Sequence, residues 1–121
     1  MTWFKVDDNY WSHPKVLLSD LESRGVWVTA GSWCAQHLTD GRIPRPVLRR
    51  IIPLRPAKVD AIANELEASG LWYMDGDDYV FHDWQAYQPT KASIHDIRKQ
   101  RAERQAAWRE RHKPNTTGEN T

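Results

Sequence analysis

Cysteine is almost absent from this sequence, because Cys34 is the single cysteine among 121 residues. No disulfide can therefore form within the chain, which makes a reducing cytoplasm the expected location. No apolar run approaches the roughly 20 residues that a membrane-spanning helix needs. The opening residues, Met1 to Asp8, also lack the basic and then apolar order of a signal peptide. We expect a cytoplasmic protein with no membrane partner.

The sequence also lacks the motifs that carry common catalytic chemistry. It has no glycine-rich phosphate loop, no nucleophile elbow and no paired-carboxylate pattern. His82-Asp83 is one histidine beside one aspartate, a pair that arises often by chance. Cys34 and His37 form a Cys-x-x-His pair, but no second close pair completes a zinc site. We therefore expect a protein that is not an enzyme and that holds no cofactor or metal.

Aromatic residues, in contrast, are abundant, with seven Trp, four Tyr and two Phe. Rings in that number can fill a small core or form an adhesive surface. Stacking on single-stranded nucleic acid would need exposed rings in a basic groove. Because the part of the chain before Pro89 is acidic, we expect its tryptophans to lie in the core and at its rim. These are Trp3, Trp11, Trp27, Trp33, Trp72 and Trp84.

The net charge of +1 hides an uneven distribution. Up to Pro89 there are nine Lys and Arg against twelve Asp and Glu. From Lys91 to Lys113 there are eight Lys and Arg against three Asp and Glu. The basic character therefore belongs to the C-terminal segment, whereas the larger part of the chain is acidic.

The first third of the sequence predicts a strand and two helices. Trp3 to Val6 is short, aromatic and β-branched, which favours a strand. Pro14 predicts the first turn of a short helix, and Asp20 predicts the cap of a longer helix that ends near Leu38. The apolar and small residues of this longer helix recur at spacings of three and four. They predict its buried face: Leu21, Gly25, Val28, Ser32, Ala35 and Leu38.

The middle of the sequence predicts two further helices. After an extended step at 41–44, Pro46 opens a helix that Pro53 stops, and Pro56 opens another that ends at Gly70. The apolar stripe of this last helix is Val59, Ile62, Ala63 and Leu66.

A hairpin and a final helix complete the series of elements. Residues 71–74 and 79–82 predict two strands around an Asp-Gly-Asp-Asp turn, and Thr90 predicts the cap of a helix from about Lys91 to Arg111. The order helix, extended step, helix, short turn, helix, hairpin is typical of a winged helix-turn-helix. We expect a mainly α fold with a small β-hairpin: a winged-helix domain at 1–90, a basic C-terminal helix at 91–113 and a disordered tail at 114–121.

A helix-turn-helix predicts double-stranded DNA as the partner. The outer face of the second helix of this pair, which begins at Pro56, would enter the major groove. There Arg and Lys suit phosphates or guanine, and Asn suits adenine. We call the expected winged-helix domain, residues 1–90, the body. Its candidate DNA-binding residues are Arg45, Arg49, Arg55, Lys58, Ala61 and Asn64. Several acidic residues accompany them and would repel phosphates: Asp60, Glu65 and Glu67 in the helix, and Asp75, Asp77 and Asp78 at the hairpin. A module that docks a host or phage protein is therefore the alternative.

The basic C-terminal helix is the second candidate contact. An electrostatic arm on DNA phosphates and a merely solvated helix are both consistent with its charge. Its candidate DNA-binding residues are Lys91, Arg98, Lys99, Arg101 and Arg104. Ile94 and Ile97 would anchor the start of this helix to the body or to a second copy, which leaves a homodimer open.

Short motifs spread over roughly Trp3 to Thr90 resemble a known family. Thr39-Asp40-Gly41-Arg42-Ile43-Pro44, the ending Gly70-Leu71-Trp72 and the segment Trp84-Gln85-Ala86-Tyr87-Gln88 resemble winged-helix domains of phage replication-initiation (replisome organiser) proteins and DnaD-like primosomal domains. The motifs Trp3-Phe4-Lys5-Val6 and Ala30-Gly31-Ser32-Trp33-Cys34 look like small helix-turn-helix proteins of actinobacterial phages. The resemblance implies DNA binding in replication initiation or transcription control, or assembly with replication proteins, in a host bacterial cytoplasm.

Overall fold

The computed structural model describes residues 3–113. The chain divides into two compact units between Thr90 and Lys91. The first is mainly helical and carries a small antiparallel sheet, and the described part of the second is a helix, which confirms the prediction of a mainly α fold with a small β element and a C-terminal helix. The tail expected at 114–121 lies outside the described residues. In the part of the chain that the structure describes, no helix is both long and apolar enough to cross a membrane.

The N-terminal segment is not the strand that its composition predicted. Residues 3–7 have no regular structure, and a 3-10 helix at Tyr10–Ser12 and helix α1 at Pro14–Leu17 follow. The side-chain amide of Gln88 explains the difference, because it binds both backbone groups of Lys5. Its Oε1 accepts from the Lys5 N–H at 2.9 Å, and its Nε2 donates to the Lys5 carbonyl. A side chain thus occupies the backbone positions that a neighbouring strand would have needed.

Helix α2 spans Leu21–His37 and begins at the predicted cap, where Asp20 Oδ1 accepts from the Ser23 N–H at 2.8 Å. Its predicted buried face is wrong except at Ala35, which is buried, since Leu21 is 83% exposed and Val28 is 43% exposed. The residues that pack inward are Ser23, Val26, Ala30, Gly31, Cys34 and Ala35. No charged residue occurs at positions 25–36, so only the exposed polar residues Thr29, Ser32 and Gln36 mark the outer side of the helix.

Helices α3 and α4 form a pair joined by a short turn. Helix α3 spans Arg45–Ile51, and helix α4 spans Pro56–Ala68 after the turn at residues 52–55. The predicted apolar stripe of α4 is confirmed, because all four of its residues are buried: Val59, Ile62, Ala63 and Leu66. Pro56 occupies the first turn of α4, where its missing N–H costs no hydrogen bond.

Three strands form one antiparallel sheet in the order β1-β3-β2. Strand β1 is Arg42–Pro44, β2 is Trp72–Asp75 and β3 is Asp78–Phe81. The hairpin between β2 and β3 turns at Gly76, whose φ of +63° favours glycine. Its inner side chains include Trp72 and Tyr79, which join the core against α2, α3 and α4. A short helix α5 at Trp84–Tyr87 closes this unit, and helix α6 forms the second unit at Lys91–Arg111.

Candidate nucleic-acid interface

Arg49 of α3 forms hydrogen bonds to the next helix, α4. Its Nε donates to Asp60 Oδ1 at 3.0 Å, and its Nη2 donates to Asp60 Oδ2 at 2.6 Å. This two-bond pair joins α3 to α4 and lowers the pKa of the Asp60 carboxyl below its usual value through the hydrogen bonds from Arg49. The Arg49 guanidinium therefore enters any encounter with DNA already bound to a carboxylate.

Lys58 and Glu65 are directed toward α2 on the other flank of α4. Lys58 Nζ lies 3.3 Å from Glu22 Oε1. Glu65 Oε2 accepts from the hydroxyl of Ser23, a fully buried residue of α2, at 2.9 Å. Ion pairs therefore engage charged residues on both flanks of α4, Asp60 on one side and Lys58 on the other.

The outward ridge of α4 is consequently small and uncharged. At 3.6 residues per turn, the positions opposite the buried stripe are Ala57, Ala61, Asn64 and Ala68, and all four are exposed. The Asn64 amide is the hydrogen-bonding group of this ridge, whereas the alanine methyl groups suit thymine methyls or an apolar protein surface. This ridge can recognise shape and one amide partner, but it offers no charge to phosphates.

Arg45 is restrained by packing. Its guanidinium carbon lies 5.8 Å above the ring of Tyr79, and its side chain is partly buried. Its Nε is buried and has no hydrogen-bond partner among the described residues. Contact with the aromatic ring limits how far this candidate can reach toward a ligand.

Two exposed arginines flank the turn between α3 and α4. Arg55 is the residue before α4 and Arg50 lies in the last turn of α3, and neither forms an ion pair with any residue of 3–113. Sequence reasoning selected Arg55 but missed Arg50. The available signal was its position directly after Arg49, on the last turn of a helix that ends at the same turn. In the body, these two guanidinium groups are the side chains best able to contact phosphates.

Arg42 neutralises part of the negative charge that the sequence places at the hairpin. Arg42 on β1 donates to the carboxylates of both Asp75 and Asp78, with an Nη1 to Oδ2 distance of 3.1 Å to Asp78. The β1–β3 pairing produces this arrangement, because it sets Arg42 beside the hairpin across the sheet. Asp77 remains exposed at the tip. One cation therefore offsets part of the repulsion expected between the hairpin and a phosphate backbone.

Helix α6 separates its charges onto two sides. Asp96, Glu103 and Glu110 are spaced by seven residues and form one acidic stripe along the helix. The arginines at 98, 101, 104 and 109 lie across the arc on the other side, together with the exposed side chains of Ile97 and Trp108. The result is one basic face that also carries apolar groups.

The candidates on α6 differ in how well they suit a phosphate contact. Arg98, Arg101 and Arg104 are exposed and form no ion pair with any other residue in the described range. Lys99 is also exposed but lies next to the acidic stripe, and Lys91 is exposed in the first turn. The three arginines are therefore the strongest candidates of this unit.

The Cys34 and His37 side chains, the Cys-x-x-His pair of the sequence, have separate environments. Burial raises the pKa of the Cys34 thiol to about 11, so the thiol stays protonated at neutral pH. The neighbouring His37 ring stacks on Trp33 and bonds the Trp33 carbonyl at 3.0 Å. Within residues 3–113, no group of three or more His, Cys, Asp or Glu side chains is placed to hold a metal ion.

No protein-family model, no curated protein and no solved structure matches this chain.

Proposed function

We propose that the protein is a small winged helix-turn-helix DNA-binding protein of the phage type, acting in replication initiation or transcription control in a bacterial cytoplasm. The order α2, β1, α3, α4, β2, β3 supports this assignment, with α4 as the recognition helix and the hairpin as the wing. The resemblance to replisome-organiser and DnaD-like domains supports the same function.

The observation that carries the proposal is the distribution of unpaired cations. In the body, Arg42, Arg49 and Lys58 are all bound to carboxylates, which leaves Arg50 and Arg55 as exposed cations beside the turn. On α6, the arginines of the basic face stand without ion pairs to described residues. The proposed division of labour follows: α6 supplies the attraction to phosphates, and the ridge of α4 contributes base contacts through Asn64 and Ala61.

Fluorescence anisotropy with a labelled duplex over a salt series tests this function. We expect binding at low salt and a steep fall in affinity as salt rises, because each neutralised phosphate contributes a slope of about −0.9 in log K against log salt. A chain ending at Pro89 should bind far more weakly. Absence of binding at low salt, or an affinity that does not change with salt, would contradict the proposal.

The uncharged ridge of α4 favours a second candidate, a module that docks a replication or host protein. A ridge of three alanines beside Asn64 suits a protein surface at least as well as a DNA groove. Pull-down from host lysate with and without nuclease separates the two functions. A partner kept after nuclease treatment and lost in Ala61→Glu supports docking, whereas a partner lost after nuclease treatment supports DNA.

A further inference from the structure

The basic face of α6 carries an exposed tryptophan. Trp108 is the only tryptophan after Thr90, and it is 55% exposed. Trp11 is also largely exposed, at 72%, but it lies in the part of the chain where acidic residues outnumber basic ones. A ring that stacks on the bases of a nucleic acid must be both exposed and surrounded by cations. Trp108 meets both conditions, whereas Trp11 meets only the first.

Arginines lie on either side of Trp108 along the helix. At 3.6 residues per turn, Arg101, Arg104 and Arg111 lie within about 60° of Trp108 around the helix axis, while the acidic stripe lies more than about 120° away. Arg104 and Arg111 are four and three residues from Trp108, the spacings at which side chains on a helix are neighbours. None of the three arginines forms an ion pair with another residue of 3–113. Their guanidinium groups are therefore available to phosphates beside the indole ring.

One face of the Trp108 indole is supported from within α6. The His112 ring stacks on it, with ring centres 4.2 Å apart and an interplanar angle of 19°. Because a carbonyl oxygen only accepts, His112 Nδ1 donates to the Trp108 carbonyl at 2.8 Å, and this bond holds the imidazole in the stack. With one face covered by this ring, an exposure of 55% means that the opposite face is largely accessible. The indole is thus held in place before a second ring arrives, which lowers the cost of ordering it on binding.

Unpaired bases fit this arrangement better than a duplex or a lipid surface does. In a duplex the base faces are stacked on one another, so a ring on a helix surface finds open base faces only where the strands are separated. A helix that lies on a membrane needs a broad apolar face. In the described part of α6, the large apolar side chains that are exposed are those of Ile97 and Trp108. One ring among several cations is the combination that single-stranded nucleic acid requires.

We propose that α6 binds single-stranded DNA, with an unpaired base stacked on the accessible face of Trp108 and the flanking phosphates bound by Arg104 and Arg111. The inference rests on the proposed DNA-binding function, because both assign DNA to the basic face of α6. It adds that the preferred DNA has separated strands.

Fluorescence anisotropy of the full chain with three labelled DNAs tests the proposal. The first DNA is an oligothymidine of about 12 nucleotides, the second is an abasic strand of equal length, and the third is a duplex. Trp108→Leu removes the ring but keeps an apolar side chain of high helix propensity. It should lose roughly tenfold or more in affinity for oligothymidine. Its affinity for the abasic strand and the duplex should change little, because the phosphate contacts remain. Trp108→Phe keeps a ring and should retain most of the affinity for oligothymidine.

Trp11→Leu is the matched control, since it removes an exposed tryptophan outside α6, and it should bind all three DNAs as wild type does. If Trp108→Leu binds oligothymidine as tightly as wild type while duplex binding persists, this inference is overturned and the proposed function stands. Absence of binding to all three DNAs contradicts both. An equal loss on all three DNAs in Trp108→Leu overturns base stacking, because the abasic strand offers no base. Binding to phosphatidylglycerol vesicles that depends on Trp108, with unchanged strand affinity, assigns the face to lipid and also overturns the inference.

Discussion

The cations of the α3–α4 pair and those of α6 differ in what surrounds them. Arg49 and Lys58 each hold a carboxylate of a neighbouring helix, whereas the arginines of α6 face away from the acidic stripe of their own helix. A cation in an ion pair must lose or share that partner before it binds a phosphate, while an unpaired one exchanges only water and counterions. Under the proposed DNA-binding function, counting arginines therefore overstates the contribution of the body and understates that of α6.

The largest expected effect comes from removing the basic face of α6. The triple variant Arg98→Ala, Arg101→Ala, Arg104→Ala should lose duplex affinity by roughly a hundredfold or more at low salt, and its salt slope should fall by about three. Anisotropy over a salt series measures both quantities. The matched control neutralises the opposite stripe with Asp96→Asn, Glu103→Gln and Glu110→Gln and should bind more tightly than wild type. An unchanged slope in the arginine variant would place the phosphate contacts elsewhere.

A smaller loss is expected at the turn between α3 and α4. Replacing Arg50 and Arg55 by Ala should weaken binding by roughly tenfold while leaving the melting temperature nearly unchanged, because both side chains are exposed and form no ion pair within residues 3–113. Lys58→Ala should cost less, since Lys58 shares its charge with Glu22. Anisotropy and thermal unfolding of the two variants measure this difference. If Lys58→Ala has the larger effect on binding, the ion pair with Glu22 does not keep Lys58 from contacting phosphates.

Periodicity predicted some parts of this fold because two faces of an element differ in polarity. Helix α4 has its large apolar residues on one side only, with alanines and Asn64 opposite, so its stripe at Val59 and Leu66 was visible in the sequence. Helix α2 has no charge at 25–36, and only the weakly polar stripe of Thr29, Ser32 and Gln36 separates the face at Val26 from the face at Val28. The acidic stripe of α6 follows from the seven-residue spacing of Asp96, Glu103 and Glu110 in the sequence. These side chains share one side of the helix because α6 is continuous from Lys91 to Arg111.

The ion pairs could not be predicted in the same way. Arg42 meets Asp75 only because β1 pairs with β3, and Arg49 meets Asp60 only because the turn sets α3 beside α4. These contacts depend on tertiary placement, and nothing in the local sequence states which carboxylate a given arginine will reach. The same holds for Gln88, whose bonds to Lys5 replace a predicted strand with an irregular segment.

Releasing Arg49 should have an effect of opposite sign to those of the alanine variants. Asp60→Asn keeps the size of the side chain but removes the charge that holds the guanidinium, so Arg49 becomes available to a phosphate. We expect a several-fold gain in duplex affinity by anisotropy, with a steeper salt dependence than wild type. Glu67→Gln on the same helix is the control, since it removes one negative charge without freeing Arg49. An equal gain in both variants would mean that net charge alone, and not release of Arg49, sets the affinity.

The smallest expected effect is the pH dependence of the Arg49–Asp60 pair. Arg49 lowers the pKa of Asp60 in the folded chain, so the carboxylate stabilises the fold at pH values above its ordinary unfolded pKa of about 4. That contribution is lost as the pH falls through the lowered folded pKa, where the carboxyl becomes protonated. Urea unfolding of wild type and Asp60→Asn should therefore show wild type slightly more stable at neutral pH, with the difference shrinking on acidification. The pair is partly exposed, with side chains 39% and 33% accessible, so solvent and salt screen it and the difference stays small. A difference that persisted unchanged in acid would assign the effect of the substitution to packing and not to the ion pair.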